Sequence, residues 1–221
     1  MTFKKIFLSA TSLFLIQASA MAIEEPSYQV IDTHEDFEVR RYEPYLVAEV
    51  DVNGGFDDAG NSAFRILAGY IFGDNKAAAK MEMTAPVETR SSGKGEKMAM
   101  TAPVTATEGD DEGQTTFAFV MERKFTLDTL PVPNDERIRI REVAERIVAV
   151  RRYSSRWTQE KYFEHEEALR TALAEANIKI NGDPILARYN SPFSIPIFRR
   201  NEVMFEINEL NPQRTVSKNG Q

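Results

Sequence analysis

Side chains able to do chemistry are few in this chain: 221 residues hold two histidines, His34 and His165, and no cysteine. Without cysteine there is no thiolate metal site, no thiol catalysis and no covalent c-type heme attachment. His34 falls in the polar turn His34-Glu35-Asp36, and His165 lies between Glu164 and Glu166. On separate elements with no third ligand they make no metal site, and both read as solvated. The densest cluster of soft donors is a doubled run, Lys80-Met81-Glu82-Met83-Thr84-Ala85-Pro86-Val87 and Lys97-Met98-Ala99-Met100-Thr101-Ala102-Pro103-Val104. Its period of two puts each set of methionines on one sheet face, where a thioether either fills irregular core or accommodates a flat, variable ligand. Glu166 shares a helical stripe with Tyr162, Leu169 and Leu173 and is the one candidate general base. Arg199, Arg200 and Glu202 read as a charge cluster at a strand entry. The acidic tip Glu108 to Gly113, with Asp110, Asp111 and Glu112, lacks the alternating oxygen spacing of a calcium loop. No Ser-His-Asp spacing and no phosphate-binding glycine loop supports an enzyme.

The elements that must position these residues begin after an export signal. Lys4 and Lys5 precede an uncharged stretch from Ile6 to Ile16, about half the length of a membrane-spanning helix, and Ala20-Met21-Ala22 fits small-x-small cleavage. The expected organisation is therefore a signal peptide over 1–22, one domain over 23–210, and a flexible tail over 211–221. A periplasmic or secreted location follows from it. The formal net charge of −7 argues against nonspecific binding to nucleic acid or to an anionic membrane, and a monomer with no membrane-spanning segment is expected.

Period-two patterning predicts strands at Tyr28 to Thr33, Phe37 to Tyr42 and Leu46 to Val52, then a helix from Phe56 to Phe72 stopped by Gly73. Further strands are expected around 80–88, 97–105, Thr115 to Met121, Arg137 to Val143 and Arg146 to Arg152. A second helix runs from the cap Thr158 to Ala176, and strands near Pro184 to Tyr189 and Glu202 to Ile207 complete the chain. Leu46-Val47-Ala48 and Ile147-Val148-Ala149 stand 101 positions apart, and the same offset carries Phe56 onto Trp157. Two related β-β-α halves result. The fold class is α+β, a curled antiparallel sheet or open barrel of about eight strands or more with two helices packed on it.

The first helix carries more apolar surface than one face needs. Phe56, Ala59, Ala63, Ile66, Leu67 and Tyr70 form a core stripe, and Phe64, Ala68 and Ile71 form a second about 120° away. A second apolar stripe asks for a cover, which can be more protein, a partner, or a flat apolar ligand. The expectation is a solvent-reachable apolar face closed by the Phe193 to Ile197 loop.

Taken together, the doubled Met-x-Met-Thr-Ala-Pro-Val, Phe37-Glu38-Val39-Arg40-Arg41-Tyr42, Tyr189-Asn190-Ser191-Pro192-Phe193 and Arg199-Arg200-Asn201-Glu202-Val203 resemble the SOUL heme-binding family. The resemblance runs from about Ser27 to Ile207. It implies a distorted antiparallel β-barrel flanked by two helices and built from two similar halves, with non-covalent binding of heme or another tetrapyrrole. It makes Phe64 and Ala68 apolar pocket positions. Asn61 and Gly69 stand where some members place basic residues to meet propionates, and neighbouring Arg65 is the substitute. The ligand-binding residues expected are thus Phe64, Arg65, Ala68, Ile71, Met81, Met83, Phe193 and Ile197, with neither histidine required and no metal or catalytic residue. The function expected is an exported tetrapyrrole carrier, buffer or scavenger, holding a small amphipathic ligand and not an enzyme. Two other readings stay open: a hydrolase using Glu166, by the resemblance of such two-halved folds to GyrI-like domains, and a protein-interaction module.

Overall fold

A computed structural model describes residues 23–54, 56–77, 95–109, 111, 113–191 and 193–208; of residues 56–58 it describes the backbone. The signal segment, the expected strand at 80–88 with Met81 and Met83, Asp110 and Glu112 of the acidic tip, and the tail lie outside the described residues. So does the Phe56 side chain.

The elements in chain order are β1 (Tyr28–Thr33), β2 (Glu38–Tyr42), β3 (Tyr45–Asn53), α1 (Phe56–Ile71), β4 (Asn75–Lys76), β5 (Val104–Glu108), β6 (Gln114–Val120), β7 (Val132–Pro133), β8 (Arg139–Val143), β9 (Arg146–Tyr153), α2 (Gln159–Glu175), β10 (Ile180–Arg188) and β11 (Asn201–Ile207). β4 and β7 pair with each other alone; the other nine strands make one antiparallel sheet in the order β1-β2-β9-β11-β10-β5-β6-β3-β8. It curls into a half-barrel whose outer strands, β1 and β8, do not pair, so the barrel stays open. No helix among the described residues is long and apolar enough to cross a membrane.

Reading inward from β2 and β8, the order is a palindrome: β9 answers β3, β11 answers β6 and β10 answers β5. The chain order does not follow these spatial halves. β2 leads into β3 yet pairs with β9, and β8 leads into β9 yet pairs with β3. Each half therefore takes its outer strand from the chain segment of the other, which ties the two together. The 101-residue offset survives in space, since Leu46-Val47-Ala48 lies on β3 and Ile147-Val148-Ala149 on β9.

Each helix is held by alternate residues of the strands beneath it. Leu46, Ala48 and Val50 of β3 with Phe117 and Phe119 of β6 meet Ala59, Ala63, Leu67, Tyr70 and Ile71 of α1. Ala149 of β9 with Val203, Phe205 and Ile207 of β11 meet Leu169 and Leu173 of α2. The intervening residues, among them Val148, Val150, Ile185, Ala187 and Met204, fill a third cluster on the opposite face. The period of two supplies both layers from the same strands. Thr158 caps α2 as expected, its hydroxyl accepting from the Lys161 N–H at 3.3 Å. Gly73, at φ +114°, ends α1 in a conformation that suits glycine.

The expected strand at 97–105 needs correction. Residues 97–103 make no ladder, and β5 starts at Val104, directly after the cis Ala102–Pro103 peptide. Pro103 has no N–H to give a ladder, so pairing begins one residue later. The segment instead straps the end of α1. The Met98 N–H donates to the Ile71 carbonyl at 2.9 Å, and Asn75 holds Glu96 by hydrogen bonds in both directions. Gly95 lies so close to the Gly73 carbonyl that a Cβ there would collide with it.

Candidate functional site

α1 sits over β3 and β6, and α2 over β9, β10 and β11. Between the helices lies the helix-facing side of β5 and of the Leu186 to Arg188 end of β10, while the Ile180 end of β10 packs under α2. A groove of about 690 Å³ lies there, within the range of small-molecule sites. Its floor is Val104 and Ala106 of β5, Phe117 and Phe119 of β6, and Leu186 of β10; one wall is Gly60, Asn61 and Phe64 of α1, and the other is Trp157 at the entry to α2. Met100, Tyr189 and Ser191 close an end. The Phe64 and Phe119 rings meet edge to face with centroids 5.5 Å apart. Gly60 leaves room where a side chain would reach toward Phe117 and Arg188.

Among the described residues the charged group lining the groove is Arg188, whose guanidinium lies 5.0 Å from the centre of the Trp157 ring. Arg199 stands 4.5 Å from the same ring. The Trp157 indole N–H donates to Asn201 at 2.7 Å, and Asn201, fully buried, donates in turn to the Ser155 carbonyl. This chain of bonds fixes the aromatic wall. Among the described residues no carboxylate and no imidazole lines the groove. The arrangement can hold a flat apolar molecule between aromatic walls and neutralise an acid group on it.

Of the residues singled out in the sequence, Phe64 lines the groove. Arg65 is exposed, bonded from Nε to the Asn61 carbonyl at 3.4 Å, and stands outside the lining. The solvent-reachable second stripe is corrected: Ala68 is 8% exposed and Ile71 1%. Ile71 belongs to the core under α1 together with Met98, because the strap over residues 95–101 covers that end of the helix. The Phe193 to Ile197 loop does not close the groove. Phe193 is 97% exposed, and both it and Ile197 stand outside the lining. Met81 and Met83 lie outside the described residues, while Met100 of the second copy reaches the groove.

The histidines are less solvated than their segments suggested. His34 stacks on Phe37 at 4.2 Å and lies 3.2 Å from Asp32. His165 stacks on Tyr153 at 4.0 Å, and burial, with Arg151 nearby, lowers its pKa. Neither lines the groove. Glu166 is ion-paired with Arg170 at 2.8 Å on α2 and also stands apart from it.

On the opposite face of the sheet, the strand-entry charges form a buried network. Glu202, fully buried, accepts from Arg40 at 3.0 Å, from the Tyr189 hydroxyl at 2.7 Å and from Arg200 at 2.9 Å. Arg200 also pairs with Glu25. Burial, reinforced by the Glu202 charge, pushes the Tyr189 hydroxyl far up. Its backbone continues into Asn190 and Ser191 at the groove, so the network steadies that end from behind.

Sequence reasoning missed Gly60, Trp157 and Arg188 as site residues. The signal for Arg188 was present in Pro184-Ile185-Leu186-Ala187-Arg188, where an arginine shares the parity of Leu186 in an apolar strand.

A family model described as SOUL heme-binding protein matches residues 23–206. No curated protein matches the chain. Among solved structures, EcmrR in a DNA complex is similar at TM-score 0.56 and 7% identity, covering 83% of this chain and 58% of that one. A hydrolase from Listeria innocua is similar at TM-score 0.51 and 9% identity, covering 80% and 94%. The C-terminal domain of EcmrR is similar at TM-score 0.50 and 8% identity, covering 83% and 99%. At these identities the likeness is one of fold.

Proposed function

The chain belongs to the SOUL heme-binding protein family, and from that premise we propose that the groove between α1 and α2 holds heme or another tetrapyrrole without covalent attachment. The observation that carries this reading is the groove itself, with Phe64, Phe117, Phe119 and Trp157 around its sides and Arg188 among its lining. The residues fit the ring and an acid substituent of such a ligand. Toward iron, the described residues of the lining offer the Met100 thioether, while the Tyr189 hydroxyl is turned to Glu202 behind the groove. Packing and the Arg188 charge then dominate over axial ligation. The role is that of a carrier, buffer or scavenger in the cell envelope or outside it, since the first 22 residues read as an export signal. Catalysis is not part of this reading: the one candidate base, Glu166, is tied to Arg170 outside the groove.

Gly60→Leu tests it. A leucine there extends into the groove, while its Cβ meets Phe117 at an ordinary 3.7 Å. Hemin titration followed at the Soret band is expected to show affinity at least ~10-fold lower, about 1.4 kcal/mol, with no loss of thermal stability. Unchanged affinity in a folded variant would move the ligand elsewhere.

A further inference from the structure

We propose that the turn between β10 and β11 is a docking tip that seats the protein on an anionic lipid surface. Residues 193–198 read Phe-Ser-Ile-Pro-Ile-Phe. Phe193 is 97% exposed and Phe198 73%, and Ile195 and Ile197 are also exposed. The backbone that carries them is braced. Ser194 N–H donates to the Ser191 carbonyl at 3.0 Å, Phe198 N–H to the Ile195 carbonyl at 3.0 Å, and Arg199 Nε to the Ser194 carbonyl at 2.9 Å. Ser154 Oγ donates to the Arg199 carbonyl at 2.7 Å, anchoring the base of the turn to the end of β9. Four large apolar side chains are therefore held in water by a structured turn, an arrangement with a solvation cost that an apolar environment would remove.

Charge selects the environment. Within residues 150–159 and 184–201, the two segments that meet at this end of the sheet, there are six arginines, of which Arg151 is paired with Asp36 and Arg200 with Glu25 and Glu202. Arg152 and Arg156 are exposed and make no ion pair among the described residues. The whole chain has formal net charge −7, so this end is basic against an acidic remainder. An anionic bilayer attracts the arginine collar within about a Debye length, roughly 8 Å at physiological salt, and repels the rest, which orients the molecule tip first. A protein partner is the weaker fit. A stable interface needs about 800 Å² per side with a complementary core, whereas a six-residue tip needs only depth in a lipid interface. Docking rests on Phe193, Phe198, Arg152 and Arg156, none of which lines the groove, so this proposal and the ligand reading fail separately.

The experiment is co-sedimentation of the exported chain with vesicles of phosphatidylglycerol and phosphatidylcholine in equal parts. It is compared with pure phosphatidylcholine and with a variant carrying both Phe193→Ser and Phe198→Ser. Binding to the anionic vesicles is expected, weaker at raised salt, at least ~10-fold weaker in the variant and absent on phosphatidylcholine. The variant should keep its melting temperature, because both side chains are exposed. No binding of the unaltered chain to anionic vesicles, or equal binding by a folded variant, overturns the proposal. So does concentration-dependent self-association abolished by the same substitutions, which would assign the tip to a second copy.

Discussion

Helix α1 buries Ala59, Ala63, Leu67, Tyr70 and Ile71 against β3 and β6, whereas α2, one residue longer, fully buries Leu169 and Leu173 over β9 and β11. The buried pairs Leu67 with Ile71 and Leu169 with Leu173 share the spacing of one helical turn and anchor each helix in the same way. Beyond that anchor the helices diverge. α2 turns a charged face outward, with ion pairs Lys161 to Glu164 and Glu166 to Arg170. α1 turns Phe64 and the bare Gly60 toward the groove and has its other end strapped by residues 95–101. The repeated frame supplies two platforms with a gap between them over β5 and the Leu186 to Arg188 end of β10. Side chains on one platform and a single tryptophan on the other wall that gap and make it the groove proposed to hold the ligand.

The same comparison holds on the opposite face of the sheet. In the half under α2, Glu202 and Arg40 are both buried; in the half under α1, the buried Glu49 pairs with the exposed Arg139 and Arg141, and Asp51, Thr116 and Arg139 form a network nearer the surface. The hydrogen bond from Arg139 holds the Asp51 carboxyl below its usual range. Removing Glu202 leaves the buried Arg40 with the part-exposed Glu38 at 2.8 Å and leaves the Tyr189 hydroxyl without its acceptor, so Glu202→Ala is expected to cost about 3 kcal/mol. Asp51→Asn, with water close by, should cost about 1 kcal/mol or less. Urea unfolding of both variants measures the contrast, and equal losses would mean that the halves are stabilised alike.

A smaller effect separates the ends of α1. Glycine in a helix interior costs roughly 0.5–1 kcal/mol relative to alanine. A Cβ at Gly69 meets nothing, and one at Gly60 meets Phe117 and Arg188 at van der Waals distance. Gly69→Ala and Gly60→Ala should each raise the unfolding free energy by about that amount. Only Gly60→Ala should weaken hemin binding, by a few-fold. A loss of binding in Gly69→Ala would return the ligand to the strapped end of the helix.

The smallest expected effect concerns His165 on α2. Burial, with Arg151 beside it, lowers its folded pKa below the unfolded value of 6.5. The unfolded chain therefore takes up this proton more readily. The associated stability is full above pH 6.5 and is lost as pH falls through 6.5 toward the folded value. Replacing His165 with Phe, which can keep the stack on Tyr153, should flatten the fall in melting temperature on that acid side. An unchanged pH profile would show that His165 stays solvated, as its sequence neighbours suggested.

Local pattern made most of the fold legible. Period-two runs located β1, β2, β3, β6, β8, β9 and β11 within a few residues, because alternation reflects the immediate burial of one strand face. The Thr158 cap and Gly73 marked helix ends because capping is satisfied within one turn of chain. The doubled motif and the C-terminal charges were specific enough to give the family.

What the sequence could not supply was the partner of each element. Nothing in β2 or β8 says that they cross over to pair with β9 and β3, since a ladder is built from backbone groups common to all residues. The groove depends on that exchange, for it fixes β5 and β10 as the central strands and sets the helices to either side of them. The apolar stripe of Phe64, Ala68 and Ile71 was read as one exposed face needing a cover. Protein buries Ala68 and Ile71, and Phe64 faces the open groove. A helical stripe records only that apolar surface must be hidden. Whether a strap of the same chain or a ligand hides it is decided by packing between segments far apart in sequence, here the approach of Gly95 to Gly73 and of Met98 to Ile71.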